Sequence, residues 1–124
     1  MERILIVFIG GGIGSATRYL ATVAAAKLAG TDFPWGTLFV NLAGCFIIGV
    51  MLAIAERTEL APPSFRLFFV AGFLGGMTTF SSYAMETVFA ARSGMAAALI
   101  NIAANNIAGI AMVVCGMKLA RLFI

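Results

Sequence analysis

Residues 71–86 read Ala71-Gly72-Phe73-Leu74-Gly75-Gly76-Met77-Thr78-Thr79-Phe80-Ser81-Ser82-Tyr83-Ala84-Met85-Glu86. Hydroxyls, aromatic rings and a carboxylate thus sit inside an otherwise apolar segment. Gly75-Gly76 weakens any helix, since each glycine costs about 1 kcal/mol relative to alanine. The β-branched Thr78 and Thr79 follow at once. This pattern predicts a helix that breaks across Gly75–Thr79 and resumes at Phe80. Lipid cannot satisfy the amides and carbonyls that such a break frees, so it must be buried in protein or line a water- or ion-filled cavity. The chemistry on offer is ion coordination. Past the break, Phe80 and Tyr83 share one helix face, while Ser82 and Glu86 lie four apart on a neighbouring face.

Other polar groups in apolar runs are Asn41, Asn101, Asn105, Asn106 and Arg18. Thr37 and Asn41, four apart, share a face that Gly44 and Ile48 continue. Asn41 is read either as an interhelical hydrogen bond, worth about 0.6 kcal/mol on average, or as an amide lining a pore. An intramembrane arginine is costly unless it pairs or meets water. Arg18 therefore either snorkels to an interface or supplies positive charge at an anion vestibule. Glu86 either marks an interface or pairs with a basic group.

The elements that must hold these groups are membrane helices. The chain has 124 residues, 62% hydrophobic and 10% charged, with mean hydropathy +1.07. Soluble domains average about 45–50% apolar and about 25% charged. One transmembrane domain of four helices is expected, over about 4–26, 36–55, 65–92 and 95–120. The first apolar run is not a signal peptide, because no cleavage-like stretch follows it and Arg18 interrupts it. Ile4–Ile9 followed by Gly10-Gly11-Gly12-Ile13-Gly14-Ser15 imitates a dinucleotide loop, but Ser15 stands at the third glycine and no acidic residue ends a second strand. Gly10 with Gly14, and Gly11 with Ser15, instead suit close helix approach. The net charge of +3 fits loop lysines and arginines, and no nucleic-acid partner is expected. With no histidine in the chain, His-based metal or acid–base chemistry is excluded. Cys45 and Cys115 read as buried packing residues. So many polar groups need burial that a homo-oligomer is expected. An even helix number puts Arg3, Arg57, Arg66, Lys118 and Arg121 on one side against Lys27 and Arg92, with Arg18 added where it reaches out, a modest bias toward termini inside.

Thr17-Arg18-Tyr19 after a glycine-rich start, Gly36-Thr37-Leu38-Phe39-Val40-Asn41, and Gly72-Phe73-Leu74-Gly75-Gly76-Met77-Thr78-Thr79-Phe80-Ser81-Ser82, in this order, resemble the small fluoride channels of the Fluc or CrcB family. The resemblance covers the whole chain. It implies an antiparallel homodimer in the cell (inner) membrane, with a structural sodium ion held by backbone carbonyls at the positions of Gly75 and Thr78. It also implies fluoride paths lined by Asn41, Phe80, Tyr83, Ser82, Thr37 and Asn106. Tyr83 stands where members commonly carry phenylalanine, and Asn106 and Ile110 where they commonly carry serine.

These residue types suit a small, tightly hydrated anion. Asn41 carries amide donors and Ser82 a hydroxyl donor, and aromatic rings present a positive edge. The Tyr83 hydroxyl would either add a donor or obstruct the ion. The expected function is passive, fluoride-selective export that lowers cytoplasmic fluoride, with no enzymatic step. A small proton-coupled multidrug-type transporter would need a carboxylate well inside the membrane, and Glu86 lies near a segment end. A non-transporting assembly subunit would explain the small-residue faces but not the break followed by Phe80 and Tyr83.

Overall fold

The computed structural model describes residues 1–57 and 62–124. The polar loop expected around Glu56–Pro63 falls partly outside them, at Thr58, Glu59, Leu60 and Ala61. Four spans are long and apolar enough to cross a membrane, and the described residues contain no strand. The first is α1 (Glu2–Ala29) and the second α2 (Trp35–Arg57). The third span, Pro63–Ser93, divides into α3 (residues 63–77) and α4 (Phe80–Ser93). The fourth is α5 (Met95–Arg121). Two stretches are wound as π-helix, Leu67–Leu74 in α3 and Ala104–Ala108 in α5. Such wider turns occur often at functional sites, and the second carries Asn105 and Asn106.

Local sequence explains the boundaries. Gly30, at φ 80° and ψ −173°, takes a positive-φ extended conformation open to glycine, and its N–H bonds the Ala26 carbonyl where α1 ends. Pro63 opens α3, where a missing N–H costs nothing. Phe33 and Trp35 pack ring to ring at 4.7 Å in the α1–α2 turn.

Glycines set two close seams. A Cβ on Gly10 or Gly14 would strike the carbonyl oxygens of Phe68 and Phe73, and one on Gly76 would strike that of Gly11. The first seam therefore joins α1 to α3 at backbone-to-backbone distance, as the small-residue spacing predicts. The second joins α2 to α5, with Gly49 against the Val113 carbonyl and Gly116 against that of Phe46. Between them Val40, Leu74 and Met77 form a small core, packed by Phe69, Phe73, Ile47 and Ile48. The Arg121–Glu56 ion pair, 2.7 Å and half-exposed, joins the ends of α5 and α2; exposed pairs of this kind contribute at most about 1 kcal/mol.

The structure departs from two sequence expectations. Gly75 and Gly76 stay helical, and the interruption is confined to Thr78 and Thr79, at φ/ψ −81°/156° and −154°/118°. The glycines serve the α1 seam, while the β-branched threonines take the extended backbone they favour. Cys115 is exposed rather than buried, on the outer face of α5, and Cys45 is half-buried.

Candidate functional site

The break is held open by hydrogen bonds from outside the third span. Thr79 caps α4, its Oγ1 accepting from Ser82 N–H at 3.2 Å. The Thr79 backbone is bound by the Asn41 carboxamide on α2. Asn41 Oδ1 accepts from Thr79 N–H at 2.9 Å, and Asn41 Nδ2 donates to the Thr79 carbonyl at 3.2 Å. One side chain thus satisfies both polar groups of an extended residue inside an apolar span, where each group left unpaired would cost about 1–3 kcal/mol.

Asn41 also starts a chain of amides. Its Nδ2 donates to Asn105 Oδ1 at 2.9 Å. Asn105 Nδ2 donates to Asn101 Oδ1 at 2.9 Å, and Asn101 Nδ2 to Thr87 Oγ1 at 2.8 Å. Thr87 Oγ1 donates to the Tyr83 carbonyl at 2.8 Å. Asn101 is fully buried. The chain ties α2, α5 and α4 together around the break. Sequence spacing placed Asn101 and Asn105 on one face, but the Asn41–Asn105 bond spans 64 residues and left no local signal.

The break also releases carbonyls at the end of α3, those of Gly75 and Thr78 among them. In a continuous helix Gly75 O would accept from Thr79 N–H, and Thr78 O from Ser82 N–H. Here Thr79 N–H goes to Asn41 Oδ1 and Ser82 N–H to Thr79 Oγ1. Gly75 and Thr78 both line a cavity of about 420 Å³ beside the break. Freed neutral oxygens of this kind suit a hard cation better than a transition metal. Among the described residues no cluster of three His, Cys, Asp or Glu stands ready for the latter.

The same cavity gathers Asn41, Phe80, Tyr83, Asn105 and Asn106. Phe80 and Tyr83 meet edge to face, with centroids 5.4 Å apart. Tyr83 is buried, whereas Phe80 is 77% exposed on the surface of the single chain. Asn106 Nδ2 donates to Tyr83 Oη at 2.9 Å. Ser82 Oγ accepts from Thr79 Oγ1 at 3.2 Å but does not line this cavity.

Thr37 stands elsewhere. It is buried, and its hydroxyl donates to Glu86 Oε1 at 2.8 Å. The pair lines a second cavity of about 320 Å³ with Thr22, Trp35 and Asp32. Glu86 therefore pairs with a hydroxyl and not with a base, and its Oε2 is buried with no partner among the described residues. The 49-residue separation hid this pair from the sequence. Arg18 is half-exposed on α1, lines neither cavity and forms no ion pair among the described residues.

A family model described as CrcB-like protein, Camphor Resistance (CrcB), matches residues 5–117. The chain is 43% identical over 122 residues to a protein of Agrobacterium fabrum (strain C58) named fluoride-specific ion channel FluC, covering 98% of each. It is 44% identical over 118 residues to a protein of the same name from Legionella pneumophila (strain Lens), covering 94% of this chain and 88% of that one. A Rhizobium etli protein of the same name is 42% identical over 122 residues, covering 98% of each. With four spanning helices, matched along nearly all its length, this multi-pass inner-membrane protein belongs to the CrcB family.

Proposed function

We propose that the chain is a passive, fluoride-selective ion channel that exports fluoride and lowers its cytoplasmic concentration. The observation that carries this reading is the braced break in the third span. It opens a polar cavity among Asn41, Phe80, Tyr83 and Asn106 in an otherwise apolar bundle. The relatives named fluoride-specific ion channel supply the identity of the ion.

The geometry is one of passage rather than of reaction. Polar groups, the Tyr83 hydroxyl donor among them, and two aromatic rings line the cavity, and among the described residues no nucleophile–base pair stands beside it. A small anion gains more from such donors than a large one, because its charge is concentrated. Export needs no coupling. A membrane potential of about 100 mV, negative inside, is worth about 2.3 kcal/mol per charge, enough to hold a freely permeant anion about fiftyfold lower inside than outside.

In this reading two chains pair antiparallel. Phe80, exposed on the single chain, is then covered by the partner. The carbonyl oxygens of Gly75 and Thr78 hold a structural sodium ion. When bound, that ion supplies fixed positive charge next to the pathway. Ser82 and Thr37 extend the pathway on α4 and α2, and Arg18 adds positive potential near a mouth.

Efflux from liposomes reconstituted with the purified protein tests the reading, with a fluoride or a chloride electrode and a potassium–valinomycin shunt. Fast fluoride release without chloride release is expected. Release of neither ion from folded protein would overturn it and favour a structural subunit.

A further inference from the structure

The cavity beside the break is lined by several polar side chains, and their hydrogens can be followed one by one. Both Asn41 amide hydrogens are engaged, on the Thr79 carbonyl and Asn105 Oδ1. The Asn105 amide donates to the Asn101 carbonyl and Oδ1. Thr78 Oγ1 donates to the Leu74 carbonyl, and Thr79 Oγ1 to Ser82. Asn106 Nδ2 lies 2.8 Å from the Ile102 carbonyl oxygen and 2.9 Å from Tyr83 Oη.

This last pair of distances fixes a polarity. A carbonyl oxygen only accepts, so the Asn106 atom facing Ile102 must be the amide nitrogen and not its oxygen. One amide hydrogen goes to Ile102 and the other to Tyr83 Oη. Tyr83 Oη is therefore an acceptor toward Asn106, and its own hydrogen has to point elsewhere. Among the described residues that hydrogen meets no acceptor. Accepting one bond at the oxygen also strengthens the bond that the O–H can give.

We infer that Asn106 sets the direction of the Tyr83 hydroxyl and makes it the side-chain oxygen donor left free for an anion in this cavity. Tyr83 is then a specificity-determining residue and Asn106 a positioning residue that acts through it. The ligand class is a small, strongly accepting anion. That it is fluoride rests on the function proposed above. A phenol O–H pointing at the ion favours an anion of concentrated charge over chloride, because a hydrogen bond to a charged partner strengthens as the distance shortens.

The test pairs an infrared readout with flux. The chain has two tyrosines, Tyr19 and Tyr83, so a fluoride-induced change in the tyrosine C–O band is assignable by its loss in Tyr83→Phe. Wild type should show that change with fluoride and not with chloride. Half-maximal change should need about tenfold more fluoride in Asn106→Leu, consistent with weakening a bond to a charged group. Fluoride flux should fall in Asn106→Leu, and adding Asn106→Leu to Tyr83→Phe should lower it no further than Tyr83→Phe does alone. A wild type that passes fluoride but shows no tyrosine band change overturns this inference alone. So does an Asn106→Leu effect that persists undiminished on the Tyr83→Phe background. A band change in protein that passes no fluoride overturns the channel reading and upholds the donor. Neither band nor flux overturns both.

Discussion

Asn41 on α2 holds Thr79 by both backbone groups, accepting from its N–H at 2.9 Å and donating to its carbonyl at 3.2 Å. The extended residue that interrupts the third span is therefore a braced feature. It costs little because a partner helix supplies the two hydrogen bonds that a continuous helix would have made. The same side chain opens the amide chain to Asn105, Asn101 and Thr87. Removing it disturbs the break and the α2–α5–α4 connection together.

Asn41→Leu should leave the Thr79 N–H and carbonyl unpaired. Each buried group left so costs about 1–3 kcal/mol, so the purified protein should melt several degrees lower and lose fluoride flux. Asn41→Asp keeps the acceptor for Thr79 N–H but sets a carboxylate oxygen against two acceptors, and should be no better. Unchanged melting in both would show that the clamp does not hold the break.

Thr79→Val removes the cap on α4 while keeping the branched shape. A lost cap costs about 1 kcal/mol, and Thr79→Ser should restore most of it. Thermal unfolding of the three proteins in one detergent orders them wild type, Ser, Val. A valine variant as stable as wild type would assign the break to backbone preference alone.

Gly14→Ala and Gly12→Ala differ by two positions in one helix. The first sets a Cβ against the Phe73 carbonyl and the second meets nothing within 4 Å. Overpacking costs about 1–3 kcal/mol, whereas alanine gains up to about 1 kcal/mol over glycine at an open helical site. Recovery of folded protein should drop for Gly14→Ala and hold or rise for Gly12→Ala. Equal recovery would mean that α1 and α3 do not meet along this seam.

Phe80→Ile should stop fluoride flux without preventing assembly. The ring is 77% exposed on the single chain, so truncation leaves the core of the fold in place. Flux undiminished in liposomes, from protein that still elutes as wild type, would remove the ring edge from the pathway.

If the carbonyls of Gly75 and Thr78 hold the proposed sodium ion, exchanging sodium for a large organic cation should lower the melting temperature. A ligand present at a hundred times its dissociation constant stabilises by about 2.7 kcal/mol. Melting that ignores sodium from low to high concentration would remove the cation from the proposed assembly.

The four spans were legible in composition, because a long run of apolar residues with few charges has no other stable setting. The α1 glycine face was legible too, since a repeat of four residues needs no knowledge of the partner. The break was legible to within a few residues. Gly75-Gly76 drew attention as a weak helix, yet the glycines stay wound against α1 and the threonines unwind, because close approach to Gly11 uses the missing side chain.

Pairing was decided by tertiary structure alone. Nothing local links Asn41 to Thr79 and Asn105, or Thr37 to Glu86, across 38, 64 and 49 residues. Residue type by itself established that Asn41, Thr37, Tyr83 and Asn106 need polar partners in an apolar setting. Which hydrogen meets which lone pair is a matter of position to within an ångström, and that position is set only when the glycine seams bring the helices together. The direction of the Tyr83 hydroxyl follows from the Ile102 carbonyl one turn before Asn106 and from the packing of α5 against α4, so it became readable only once those helices stood side by side.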